Sequence, residues 1–582
     1  MLKDRTFVQS MALADVKKKG CHVVHINGHT IALVADHDEV FAIDNRCPHM
    51  GFPMDKGSIK DGIITCHWHH ARFDLASGGT FDQFADDVRS FPTEVRDGYV
   101  WVDVTDQDDP KERQRDRLKV GLERDIPLVI AKAVLVLLDN GGDAAEPFKT
   151  GIEFGTTYRN RGWGQGLTML TCMMNMLPHL HEEDRPRALY HGLSAVTRDT
   201  SGMAPRFPIR PLPGETPDIA TLKRWFRQFI AVRDSEGSER CIISAIRAGA
   251  TKKEMADMLF SAVTDYRYID IGHPADFTNK AFEALDIVGW DHAETVLTSL
   301  VSGYTVAARM EESNAWRNPI DLIEILHESF SQIDNALSAG DAARQSGANW
   351  NGRQALVDTL LSDDPHAIAK AMLGALRAGC TIQQLASTVS YAAALRVARF
   401  HTSNEFGDWD TALHTFTFSN AIEQGLKRAP SPELLRGVFD GAMSIYLDRF
   451  LNIPAARIPS PNRITGQEGL AELPRLLNQQ QQVNQSAKVV ASVAATAEAD
   501  QLLPLLGQLL LREDRDFHTI QCMEAAIKQH ELLKGTPEAS HVLIAAIRYL
   551  AAHSPTVRAQ EQTFAIARRL HRGDHLFEED SD

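Results

Sequence analysis

Cysteine is scarce in this chain, with seven among 582 residues, at Cys21, Cys47, Cys66, Cys172, Cys241, Cys380 and Cys522. That is too few for a disulfide framework in a chain of this length. Long apolar runs are also lacking, since none approaches the ~20 residues that cross a bilayer. The opening MLKDRTFVQSMALADVKKKG puts charges where the apolar core of a secretion signal would lie. The expectation is a cytoplasmic protein without a membrane partner. Basic side chains fall short of acidic ones, 61 against 77, for a formal net charge of −16. Phosphate backbones need clustered positive charge, so nucleic acid is not the expected partner. No G-x-G-x-x-G, Walker or flavin fingerprint occurs, which removes hydride transfer from a bound nicotinamide. What is present, 43% hydrophobic and 24% charged residues, is ordinary globular composition.

The first hundred residues read as short strands. CHVVHI and HTIALVA are divided by Asn27-Gly28, VFAID follows a turn at Asp36–Glu39, and VWVDV follows Asp97-Gly98; such β-branched runs between turn residues predict a small all-β domain. DQDDPKERQRD is charged and carries a proline, so it reads as a linker. Beyond it, apolar residues recur at three- and four-residue spacing, which predicts helices. AIRAGATKKEMADMLF from Ala245 matches ALRAGCTIQQLASTVS from Ala375. Downstream lie His273 and His414, each in H-x3-F-[ST]-N; a third copy starts at His518, and a fourth, degraded one has Gln165 in place of the histidine. The expected architecture is multidomain: an all-β domain over 1–106, a linker over 107–125, and an all-α region over 126–582 of about four related helical units. NQQQQVNQS from Asn478 reads as a connector.

The main chemical signal is Cys47-Pro-His49, sixteen residues, then Cys66-His-Trp-His69. Two thiolates can hold one iron of a [2Fe–2S] unit while two neutral imidazoles hold the other. A Cys2His2 zinc site uses the same donors, but the usual zinc fingers keep both thiols in one C-x2-4-C pair. These loops, with ARFDLASGGTFD and GYVWVDV, resemble a Rieske [2Fe–2S] domain over Met1 to about Asp106. The resemblance implies Cys47, His49, Cys66 and His69 as ligands of one cluster. Phe52 and Trp68 stand where respiratory Rieske proteins have bridging cysteines, and Ala71 and Phe73 replace their hydroxyl donors. That implies a lower potential, of the ferredoxin or oxygenase type. His70 stands where the family usually has glycine. Electrons are expected from an external reductase or ferredoxin, one at a time.

Rieske oxygenases usually follow the cluster domain with a mixed sheet bearing [DN]-x2-H-x4-H, and no such motif occurs. The helical region resembles the questin oxidase-like family in phrases such as LYHGLSAV at Leu189; that resemblance implies oxygen-dependent oxidation of an aromatic or polyketide-like small molecule. From the residues themselves, stacked repeats would give His273, His414 and His518 equivalent places, with Asp270, Asp410 and Asp514 before them. Converging, they could hold an additional non-haem iron, or one histidine could serve as a general base; singly, each could only brace a turn. His401, Glu405 and Asp408 read as a polar turn, and Glu324/His327 and Glu538/His541 as chance surface pairs. Two functions remain: an oxidoreductase with a second site among the helices, or an electron-transfer protein whose helices dock partners. No oligomeric state follows from the sequence.

Overall fold

The computed structural model describes residues 6–105, 110–574 and 576. Strands β1 (Phe7–Ala12), β2 (Cys21–Ile26), β3 (His29–Asp36), β4 (Glu39–Asp44), β5 (Ser58–Lys60), β6 (Ile63–Thr65), β7 (Arg72–Asp74), β8 (Ser90–Phe91), β9 (Thr93–Arg96) and β10 (Tyr99–Asp103) come first. They form three sheets, ordered β1-β10-β9, β2-β3-β4-β8 and β5-β6-β7, with every pair antiparallel. Two-residue turns set the registers. Asn27-Gly28, Asp61-Gly62 and Asp97-Gly98 each place both residues at positive φ, from 47° to 83°, as a right-twisted hairpin requires. The alternation along β3 then serves two cores. Ile31 and Leu33 pack with Val100 and Val102, whereas Ala32 and Val34 pack with Ile43, Phe73, Cys47 and Cys66. Beyond Asp103 no strand occurs among the described residues, and the chain is helical.

Where an open linker was expected over 107–125, residues 107–109 lie outside the described residues and Pro110–Arg124 is a helix, α1. It is followed by α2 (Pro127–Leu138). Leu118 and Leu122, one turn apart, are buried, and the two helices pack closely enough that a Cβ on Gly121 would stand 2.9 Å from Ile130. Of the charges that suggested a linker, Lys111, Glu112, Arg113, Arg115 and Asp116 lie on the remaining faces of α1. Residues up to Pro147, together with those from Gln560, form one compact unit; Phe148–Ala559 form the other. In the first unit, Arg117 on α1 reaches Asp86 at 2.6 Å, and the C-terminal end contributes Leu570 against Gly51 and the Asp574 carbonyl, which accepts from Arg46 at 2.6 Å.

In the second unit, four helices close into a ring: α3 (Gln165–Met176), α4 (His273–Val288), α5 (Phe406–Arg428) and α6 (Phe517–Leu532). Helix α3 packs on α4 and α6, and α5 packs on the same two. The four segments read as related copies supply these four helices. Helix α5 starts at Phe406, eight residues ahead of His414, where Glu405 and Asp408 form a capping box.

Beside this ring, His191 is 2% exposed with its Nε2 buried and unpartnered, and burial, then Arg187 and Arg198, lower its pKa from 6.5 to about 3. The unfolded chain thus takes up this proton at a higher pH than the folded one, so His191 withdraws stability as pH falls from about 6.5 to about 3. His191→Met is expected to flatten the acid limb of the stability curve by up to about 1.4 kcal/mol per pH unit in that window, read as urea midpoints against pH.

Candidate cofactor and metal centres

The two cysteine loops of the first unit are built alike. The Cys47 amide donates to Phe52 O and the Gly51 amide to Cys47 O, both at 2.8 Å; the Cys66 amide donates to Ala71 O at 2.8 Å and the His70 amide to Cys66 O at 2.9 Å. Each loop therefore needs a left-handed residue four places after its cysteine. Gly51 fills that place at φ 85° in one loop, and His70 fills it at φ 62° in the other. This accounts for glycine being the usual occupant at His70. The loops aim amides at sulfur: those of His49 and Met50 reach Cys47, and those of Trp68 and His69 reach Cys66.

Cys47 and Cys66 are buried and unbridged, with their sulfurs in hydrogen-bonding contact. The Cys47 thiol, then the two amides, bring Cys66 down to about 6 against the opposing effect of burial. The His49 and His69 rings stand 4.7 Å apart, edge to face. Burial first, then His69 and Lys132, lower the His49 pKa to about 4, so it is neutral at pH 7. Its Nδ1 is buried without a hydrogen-bond partner. Two adjacent thiols surrounded by amide donors, and two imidazoles with an unsatisfied buried nitrogen, fit a [2Fe–2S] unit ligated as Cys2His2. Phe52 and Trp68, at the positions the resemblance assigns to bridging cysteines in respiratory Rieske proteins, pack ring to ring across the loops at 6.1 Å.

The ring of helices brings His273, His414 and His518 together, with one ligand atom from each within 4.8 Å of the others. His414 and His518 face each other through Nε2 at 3.0 Å. His273 Nδ1 lies 3.1 Å from the Asp270 carbonyl, which can only accept; the proton therefore sits on Nδ1 and the lone pair on Nε2, which is buried and unpartnered. Burial lowers the pKa of His273, and burial with His273 and His518 takes His414 to about 2, so both are neutral at pH 7. The run before His273 is left-handed at Tyr268, Asp270, Ile271 and Gly272, with φ of 40°, 43°, 49° and 98°. Such non-glycine positions store roughly 1–3 kcal/mol each. Buried Arg267, paired with Asp440 at 2.8 Å, and the Asp270 amide, donating to Ala308 O at 2.7 Å, hold the run in place.

The expected acidic companions divide. Asp270 acts through its carbonyl. Asp410 lies 3.7 Å from His518 Nδ1, rather than beside His414, and accepts from the Tyr549 hydroxyl at 2.5 Å. Asp514 instead accepts from the Ala559 amide. Glu405 and Asp408 are helix caps, Glu538 pairs with Arg353 at 2.8 Å, and Glu324 and His327 are exposed. Tyr549 escaped the sequence because nothing in the spacing links it to Asp410, 139 positions away.

Below the histidines the ring stays polar. Asp276 accepts from Gln521. One turn on, fully buried Lys280 lies 2.9 Å from Glu283 and 2.6 Å from Glu524, and Asn175 donates to both acids at 2.7 and 2.9 Å. Burial raises Asp276 to about 7; burial works against the charge on Glu283 too, yet Lys280 holds that carboxyl below its usual range. A cavity of about 470 Å³ lies beside the strained run, with Tyr268, Trp316 and Phe450 in its wall and buried Asp448 at its edge.

Residues 6–92 match the Rieske [2Fe-2S] domain family. The ferredoxin component of the p-cumate 2,3-dioxygenase system of Pseudomonas putida is 32% identical over 80 residues, 13% of this chain and 68% of that protein. Human apoptosis-inducing factor 3 is 29% identical over 94 residues, only 16% of either chain. Among solved structures, the ferredoxin of carbazole 1,9a-dioxygenase from Nocardioides aromaticivorans IC177 is similar at 26% identity and a TM-score of 0.17, covering 17% of this chain and 99% of that one. No helix among the described residues is long and apolar enough to cross a membrane. By its residues 6–92 the chain belongs to the Rieske [2Fe-2S] family.

Proposed function

We propose that the chain is a Rieske iron–sulfur oxidoreductase whose cluster supplies single electrons to a second metal site at His273, His414 and His518, for oxygen-dependent oxidation of an aromatic or polyketide-like small molecule. The observation that carries this reading is the convergence of three imidazoles, His414 buried and His273 and His518 partly so, one with an unpartnered Nε2, in a chain that also has a Rieske domain.

Cys47 and Cys66 would ligate one iron of the cluster and His49 and His69 the other, and the cluster would supply one-electron transfer. Two nitrogens on one metal at about 2.0–2.1 Å stand about 2.9–3.4 Å apart, which suits the 3.0 Å between His414 and His518. Held by three imidazoles, a divalent iron would keep open positions for dioxygen and substrate. The protein's own part is orientation. The Asp270 carbonyl fixes the His273 tautomer, and Asp410, itself held by Tyr549, faces the outer nitrogen of His518. An external reductase or ferredoxin would feed the cluster, because no nucleotide-binding fingerprint is present in the sequence.

Loaded anaerobically with ferrous iron and desalted, the protein should retain about three irons per chain, two in the cluster. His414→Ala should retain about two with its Rieske absorption unchanged, and a wild-type count of two would leave an electron-transfer protein whose helices dock partners. Asp410→Asn should weaken the third iron about 10–100-fold, measured by competition with a chelator. Either His69→Ala or Cys66→Ser should abolish the visible Rieske spectrum and the paramagnetic signal of the dithionite-reduced protein; an unchanged spectrum would refute these ligands.

A further inference from the structure

Lys132 lies on α2, beyond the residues that match the Rieske family, yet its ammonium group sits against the first cysteine loop. Its Nζ donates to the Pro48 carbonyl at 2.5 Å and to the His49 carbonyl at 2.8 Å, with Asp86 Oδ2 at 3.9 Å. The side chain is 12% exposed, and Asp86 is held in turn by Arg117 at 2.6 Å. We infer that Lys132 is a positioning residue for the cluster, one that ties down the Cys47 loop and places a fixed positive charge where it stabilises the reduced state.

The electrostatics follow from counting charge. Two thiolates cancel the two positive charges of an oxidised [2Fe–2S] core, and one added electron leaves a monoanion. A cation on the ligand loop, poorly screened by water, lowers the energy of that anion and leaves the neutral oxidised form nearly unaffected. The Asp86 carboxylate, 3.9 Å from the ammonium, is the acidic group that faces it. The same ammonium engages the Pro48 and His49 carbonyls, whose peptide units carry the His49 and Met50 amides aimed at Cys47. Lys132 therefore acts in the direction opposite to Ala71 and Phe73, which supply no hydroxyl to the sulfurs.

The inference rests on Cys47, His49, Cys66 and His69 holding the cluster, and full-length protein with its cluster tests both. The midpoint potential is read by following the reduced paramagnetic signal against applied poise. Lys132→Met with an intact Rieske spectrum should lower the reduced-to-oxidised ratio about tenfold at fixed poise, a negative shift of about 59 mV for one electron. An unchanged or raised midpoint in that variant overturns the inference. If Lys132→Met fails to hold a cluster, Asp86→Asn decides: removing the opposing carboxylate should raise the midpoint, and an unchanged or lowered one overturns the inference. A wild-type protein without a Rieske spectrum would instead refute the ligand assignment.

Discussion

A polar atom taken out of water must find a partner, and the architecture of both centres follows from that constraint. His49 Nδ1 and His273 Nε2 are each buried and unpartnered, and each belongs to an imidazole whose charged form is disfavoured by burial. Neutral nitrogens carrying lone pairs, gathered with others of their kind, are costly to maintain in a protein interior unless they receive a cation. In the first unit the neighbouring donors are thiols backed by amides; in the second they are two more imidazoles. Under the proposed function the two donor sets would differ as a one-electron carrier differs from a metal site with open coordination positions.

Much of the β domain was legible because its signals are local. A cysteine and a histidine two or three positions apart, and Xaa-Gly turns between β-branched runs, are patterns that short-range sterics impose. The positive φ values at Asn27-Gly28 and Asp97-Gly98 bear this out. The convergence of His273, His414 and His518 was legible for another reason: repeated segments that pack in a ring carry equivalent residues toward one place. What the sequence could not reveal depends on contacts between distant segments. Lys132 meets Pro48 from 84 positions along the chain, and Tyr549 meets Asp410 from 139. His70 became intelligible only when its loop could be laid beside that of Gly51.

The ring of four helices departs from an ordinary bundle in keeping charge along its interior. Lys280 between Glu283 and Glu524, with Asn175 bridging the acids, replaces the aliphatic layer that such a position would otherwise take. A buried ion network of this kind contributes little net stability, since desolvation offsets most of the attraction. Its hydrogen bonds are directional, however, and fix how α3, α4 and α6 rotate about their axes. That rotation determines whether His273 and His518, one to two turns away on the same helices, point at a common centre or past one another.

The first unit is discontinuous in the chain, and this has a temporal consequence. Leu570 and Asp574, which meet Gly51 and Arg46, leave the ribosome only after the entire second unit has been made. The flank of the Cys47 loop that they cover is bare for that whole interval of synthesis. The Cys47 loop is thus a part of the first unit that can close only when late-made residues return to it.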